Sequence, residues 1–211
     1  MDKTKIAIEI FDNFAQEYQD KYMDQSMYED SFNVFCDLIF KQQAKVLEIA
    51  CGPGNITRYL LKKRPDFKIL GIDLSSKMIE LAKINNPTAH FQIMDCRKIK
   101  DIDQKYDAIM CGFCLPYLEK EDAKQLIYDV FDLLENNGVF YISTMEDDYN
   151  KSGLEGPSSG GEQKMYIHYH EEEYLIETIK NSGFKIMDVR YKDYPEKIDS
   201  SMRDLLIIAR K

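Results

Sequence analysis

From about residue 45 onward the chain alternates short apolar runs with longer segments whose apolar residues recur at three- and four-residue spacing. That alternation dictates βαβ units, since short buried runs make parallel strands and the amphipathic helices between them cover the sheet faces. The runs are "KVLEI" (Lys45 to Ile49), "KILGID" (Lys68 to Asp73), "HFQIM" (His90 to Met94), "YDAIMC" (Tyr106 to Cys111) and "GVFYIST" (Gly138 to Thr144). The helical segments are "NITRYLLKKR", "SSKMIELAKIN" and "KEDAKQLIYDVFDLLENN". Ser75 is placed to cap the second of these, and Asn137 with Gly138 stands where the third is expected to end.

The last third has a different rhythm. "EEEYLIETIKNSGF" reads as a helix with acids in its first turn and Gly183 at its exit. "FKIMDVRYKDY" and "DLLIIARK" then follow with only "PEKIDSSMR" between them, too short for a helical crossover, so an antiparallel pair is expected. The expected fold class is α/β: a doubly wound, mostly parallel seven-stranded sheet with a final antiparallel strand and an N-terminal helical cap. Residues 1–211 read as one domain, with 1–40 as the cap, built from two helices, and 145–167 as a loop insertion. The stretch Glu146 to Gln163, rich in Gly, Ser and charge, is too long for an idle connection.

A formal net charge of -9, with no Lys/Arg stripe, argues against a nucleic-acid partner. No apolar stretch has the length of a membrane span, and the N-terminal apolar residues are broken by acids and amides. The five cysteines are scattered and odd in number, which does not resemble a disulfide framework; a reducing cytoplasm is the expected location.

The turn after the first strand, "EIACGPGN", falls where open α/β sheets bind ligands. A dinucleotide fingerprint needs a third glycine, but Thr57 stands in its place, and Pro53 removes an N–H that could meet a phosphate. Glu48 repels pyrophosphate and attracts an ammonium, so the turn favours a nucleoside-bearing cation such as S-adenosylmethionine. "VLEIACGPGNIT", "GIDLSSKMIELAK", "MDCRKI", "YDAIMCGFCLPYL" and "LLENNGVFYIST", in that order, resemble the motifs of class I S-adenosylmethionine-dependent methyltransferases.

The resemblance implies roles position by position. Glu48, Ala50, Gly52 and Gly54 would bring bare backbone against the methionine part of the cofactor. Asp73 would accept from both ribose hydroxyls, and Leu74 and Met78 would pack on the adenine. Asp95 would accept from the adenine amino group, the N–H of Cys96 would reach a ring nitrogen, and Cys111 would border the transferring methyl. Tyr18 resembles the N-terminal lid tyrosine of many relatives. The family often has glycine where this chain has Ala50, so an ordinary backbone angle is expected there.

His168, in "YIHYHEEEY", is a candidate general base; the competing reading packs it, with His170 in the helix N-cap region. Cys111 and Cys114 have C-x-x-C spacing, but Cys111 closes a strand instead of opening a helix, which argues against dithiol catalysis. No second pair completes a metal site, so no metal is expected. Phe11, Phe14, Tyr18 and Tyr22 recur at helical spacing, which marks core contact before a substrate box. The resemblance implies transfer of a methyl group from S-adenosylmethionine to an O, N or C atom of a small-molecule acceptor, with S-adenosylhomocysteine as product. A sensor or assembly protein that binds the cofactor without catalysis is the alternative.

Overall fold

The computed structural model describes residues 3–156, 163–193 and 203–211. Its helices are α1 (Lys3–Asn13), α2 (Ala15–Tyr22), α3 (Glu29–Asp37), α4 (Asn55–Lys63), α5 (Ser76–Asn85), α6 (Lys120–Leu133) and α7 (Glu172–Asn181). Its strands are β1 (Lys45–Ile49), β2 (Lys68–Asp73), β3 (His90–Ile93), β4 (Tyr106–Gly112), β5 (Leu134–Glu146), β6 (Gly153–Glu155), β7 (Met165–Ile167), β8 (Lys185–Asp193) and β9 (Arg203–Arg210).

Seven strands form one sheet in the order β3-β2-β1-β4-β5-β9-β8. The first five run parallel, and β9 lies antiparallel to both β5 and β8. Strand alternation divides the core into two layers. Leu47, Ile49, Ile109 and Phe140 face α6 and α7 through Leu126, Ile127, Leu175 and Ile179. Val46, Ala108, Met110 and Tyr141 face α3 and α4 through Phe32, Phe35, Ile56 and Leu60. Each fully buried large aliphatic contributes about 1.5–3 kcal/mol, which is why the buried positions of β1, β2 and β4 carry no charge except Glu48.

Three expectations are corrected here. The N-terminal segment holds three helices, not two, because the chain breaks between Asn13 and Ala15. There Asp12 is drawn off to Ser75 Oγ at 2.6 Å, and Phe14 (φ −117°, ψ 26°) leaves the helical region. The helix before β5 ends at Leu133, since Leu134 already pairs with Tyr106; Asn137 (φ +65°) and Gly138 instead kink the strand's entry. The expected structureless loop contains a short 3-10 turn (Tyr149–Lys151) and the antiparallel pair β6–β7, while 157–162 lie outside the described residues. The linker "PEKIDSSMR" lies outside them except for Arg203.

Candidate functional site

The sheet order reverses between β1 and β4, and the carboxyl ends of β1, β2 and β4 open there onto a cleft walled by α1, α2 and the β4–α6 loop. The β1–α4 turn forms its base. Gly52 and Gly54 take positive φ (+52° and +77°), and the Gly52 N–H donates to Asp73 Oδ2 at 2.9 Å. A Cβ on Gly54 would stand 2.3 Å from Asn86 Nδ2, the same atom that donates to the Gly54 carbonyl at 2.9 Å. Helix α5 therefore clamps the turn from behind.

Ala50 contradicts its expectation. Its φ is +54°, the left-handed region, where a Cβ costs roughly 1 kcal/mol. Ala50→Gly is accordingly expected to raise the unfolding free energy by about 1 kcal/mol in a urea titration. An unchanged or lower midpoint would contradict stored strain at this position.

Eight of the expected residues meet at the cleft: Tyr18, Ala50, Gly52, Asp73, Leu74, Met78, Asp95 and Cys96. Asp73 also accepts from the Ser75 N–H at 2.9 Å, so each of its oxygens already holds one backbone donor and keeps a lone pair for a ligand. Burial raises its carboxyl above the ordinary value, partly offset by the N–H groups of Ser75 and Gly52. Asp95 caps the 3-10 turn Cys96–Asp101 and grips Arg97 through both oxygens, with Nη2 to Oδ2 at 2.7 Å. Burial pushes its carboxyl up, but the Arg97 bonds prevail and hold it below the ordinary range.

Four expected residues are not part of the cleft lining: Gly54, whose carbonyl turns back to Asn86, and Glu48, Cys111 and His168. Glu48 is 1 % exposed and points from β1 toward α4, where Thr57 Oγ1 donates to its Oε2; Oε1 has no partner. Burial pushes its carboxyl up to about 8, against the Thr57 bonds that lower it. Glu48 thus props the turn from beneath instead of facing a ligand, and Thr57 serves as its partner. Cys111 turns into the α6 layer, and Gly112 and Phe113 take its place at the cleft. His168 is 3 % exposed: its N–H donates to the Pro116 carbonyl at 2.8 Å and its ring packs between Tyr149 and Tyr166. Burial lowers its pKa, and the cap position beside it belongs to Glu171, not His170.

Helices α1 and α2 close the cleft from above. Asp12 Oδ1 accepts from Ser75 Oγ and from the Lys77 N–H at 3.1 Å, at the start of α5. At the other end of α1, Lys3 pairs with Glu119 at 2.9 Å and lies 3.9 Å over the Tyr166 ring. Asn85 Nδ2 ties α2 down by donating to Gln19 Oε1 (2.6 Å) and to the Pro53 carbonyl (2.8 Å). Tyr18 rests over Gly52, whose absent Cβ would lie 3.8 Å from the ring. Phe11 packs edge-on against both Tyr18 and Tyr117, with centroids 5.7 and 5.1 Å away. The aromatic stripe is therefore cleft wall as well as core.

Among the described lining residues Arg97 is the one cation, and Asp95 and Asp122 already hold its guanidinium. A pyrophosphate would lie unpaired beside Asp73. A nucleoside whose ribose donates to Asp73, carrying a cationic tail along the glycine turn, fits these walls.

A family model described as "Methyltransferase domain" matches residues 46–138, the segment that builds this base. The demethylmenaquinone methyltransferase of Thermotoga maritima is 31% identical over 141 residues, covering 65% of this chain and 61% of that one. The magnesium protoporphyrin IX methyltransferase of Synechocystis PCC 6803, solved with bound S-adenosylmethionine, superposes with a TM-score of 0.73. It is 16% identical, with 100% of this chain and 98% of that one covered. The fold is that of S-adenosylmethionine-dependent methyltransferases. A third relative, putative methyltransferase 235L of Invertebrate iridescent virus 6, is 32% identical over 115 residues, 54% of this chain and 42% of its own. The chain spans about half the length of the curated relatives it matches.

Within this methyltransferase fold, the N-terminal helices and "FCLPYL" are the segments expected from the sequence to frame the acceptor, and they line the cleft through Ala7 and Ile8 of α1 and through Phe113, Cys114 and Tyr117. Phe113 sits at φ +53°, held by Ser143 Oγ accepting from its N–H at 3.1 Å, and no residue pattern announces that angle. Cys114 does not turn to its C-x-x-C partner alone: its Sγ also lies 3.7 Å from Cys96 Sγ. Among the described residues no three His, Cys, Asp or Glu side chains gather around a metal-sized space, and no helix is long and apolar enough to cross a membrane.

Proposed function

We propose that this chain moves the methyl group of S-adenosylmethionine to an O, N or C atom of a small-molecule acceptor, and that S-adenosylhomocysteine is the product. The observation that carries this reading is the continuity of the cleft. The glycine turn, Asp73 and Asp95 share one space with Gly112, Phe113, Cys114, Tyr117 and Leu118 of the β4–α6 loop. A sealed wall at that loop would instead have favoured a sensor.

When bound, the cofactor supplies a methyl already activated on a sulfonium. The chain's own tasks are then to orient, to exclude water and to frame the acceptor. Asp73 and Asp95 hold the nucleoside, the left-handed turn from Ala50 to Gly54 admits the tail, and Tyr18 covers it. Orientation of this kind supplies up to roughly 7–11 kcal/mol in favourable cases. Ile8, Phe11, Phe113 and Tyr117 form an apolar wall, and the described lining contains no His or Lys to take a proton. An apolar acceptor whose attacking atom is already nucleophilic suits such a wall. This reading takes residues 1–211 as one methyltransferase domain acting in a reducing cytoplasm, with 1–40 as cap and 145–167 framing the acceptor side, and with no nucleic acid as partner.

The test is incubation of the protein with methyl-labelled S-adenosylmethionine and a deproteinised small-molecule extract. Label is expected in an organic product, with S-adenosylhomocysteine released in equal amount. Cofactor binding with no label transferred would favour the sensor. Asp12→Ala, which frees α1 from α5, is expected to speed dissociation of S-adenosylhomocysteine severalfold in stopped-flow measurements, with little change in melting temperature. An unchanged rate would remove α1 from the closing role.

A further inference from the structure

The spacing of Cys111 and Cys114 drew attention in the sequence, yet the sulfur pair that faces the cleft is Cys96 and Cys114. Cys96 starts the 3-10 turn after β3 and is partly exposed; Cys114 follows β4 and is buried. Both line the cleft, and the Cys114 thiol donates to the Cys96 sulfur at 3.7 Å. Cys111 is 0 % exposed and turns into the α6 layer, beyond reach of a solute in the cleft. We propose that Cys96 and Cys114 are an oxidation site, at which a peroxide converts the two thiols to a disulfide that shuts the cleft to S-adenosylmethionine.

A disulfide needs its sulfurs about 2.05 Å apart, so the pair must contract by roughly 1.6 Å. In the sheet order, β2 and β1 lie between β3 and β4, so the bridge draws together two loops from opposite sides of the cleft's base. One loop carries Asp95 and the Cys96 N–H; the other carries Phe113 and Tyr117. The contraction therefore narrows the space in which the nucleoside must lie.

The chemistry balances with a hydroperoxide as the named oxidant. The Cys96 sulfur, the more exposed, loses its proton and attacks one peroxide oxygen. The O–O bond breaks, Cys96 becomes a sulfenic acid, and the departing hydroxide takes up the proton as water. The Cys114 sulfur then attacks the sulfenic sulfur: the S–S bond forms, the S–O bond breaks, and the leaving hydroxide carries off the Cys114 proton as a second water. Two thiols have lost two electrons, and the peroxide has gained them. At rest both groups stay protonated. Its hydrogen-bonded coupling to Cys114 and burial hold Cys96 well above its ordinary pKa, and coupling to Cys111 with burial does the same for Cys114.

The experiment treats the full chain with hydrogen peroxide, maps disulfides by non-reducing peptide mass spectrometry, and titrates S-adenosylhomocysteine before oxidation, after it, and after dithiothreitol. A Cys96–Cys114 bridged peptide is expected, with affinity reduced at least tenfold by oxidation and restored by reduction. Saturation with S-adenosylhomocysteine should suppress the bridge. Cys111→Ala should keep the oxidised-to-reduced affinity ratio, whereas Cys114→Ala should bring it to one. A bridge mapped to Cys111 and Cys114, thiols that stay free under peroxide, or a bridge with unchanged affinity would each overturn the proposal. The affinity arm rests on the proposed cofactor reading and the mapping arm does not. Reduced protein that fails to bind S-adenosylhomocysteine breaks that reading while the bridge still stands or falls on the map.

Discussion

Asp73→Ala is expected to weaken S-adenosylhomocysteine binding by at least about 100-fold, because two charge-assisted hydrogen bonds to ribose are each worth about 1.5–3 kcal/mol. The effect has a second source in the fold. Asp73 accepts from the Gly52 and Ser75 N–H groups, both at 2.9 Å, and so ties the glycine turn to the start of α5. Losing the carboxylate releases both. Asp73→Asn keeps one acceptor oxygen and should fall between the wild type and the alanine variant. Calorimetric titration, read beside a thermal melt, separates lost affinity from lost fold. Wild-type affinity in a folded Asp73→Ala protein would remove this residue from the ribose role.

Glu48→Gln is expected to flatten a loss of stability that the wild type shows as pH rises. The sign follows from proton binding. Burial lifts the folded-state pKa to about 8, above the ordinary 4.5, so the folded protein keeps a proton that the unfolded chain releases first. The stabilisation is complete below the unfolded value and disappears as pH climbs through about 8, by an amount on the order of 3 to 5 kcal/mol. Glutamine occupies the same space, still accepts from Thr57 and cannot ionise. Urea titrations at about pH 5, 7 and 9 should show the wild type losing stability more steeply than Glu48→Gln over that range. Parallel profiles would mean that Glu48 ionises in the folded protein without penalty.

Much of the sheet was legible because burial on two faces leaves a plain trace: "KVLEI", "KILGID" and "YDAIMC" are β1, β2 and all but the last residue of β4. The Ser75 cap was legible for the same local reason, and its Oγ accepts from the Met78 N–H at 3.1 Å. What escaped depends on contacts distant in sequence. The break at Phe14 follows from Asp12 reaching Ser75, and the early start of β5 from Leu134 pairing with Tyr106. The depth of Glu48 was in principle readable, since period-two alternation puts it on the face of Val46, toward α4. The attraction of a carboxylate for an ammonium outweighed that geometry. Left-handed Ala50 and Phe113 had no residue signal, since nothing in an alanine or phenylalanine announces φ above zero.

The same limit applied to the cysteines and histidines. Spacing in the chain paired Cys111 with Cys114, whereas the loops after β3 and β4 bring Cys96 to Cys114 across 18 positions. His168 stood near the substrate side in sequence, but β7 delivers its N–H to Pro116 and its ring to Tyr149 and Tyr166. Chemistry-bearing residues were recognised by type; their direction was set by partners far along the chain.

The central claim is that the cleft at the β1–β4 reversal holds S-adenosylmethionine, and isothermal titration with S-adenosylhomocysteine, using NAD as control, tests it most directly. The account predicts saturable one-to-one binding of S-adenosylhomocysteine and none of NAD. No binding of S-adenosylhomocysteine by folded protein, or equal binding of NAD, would contradict it.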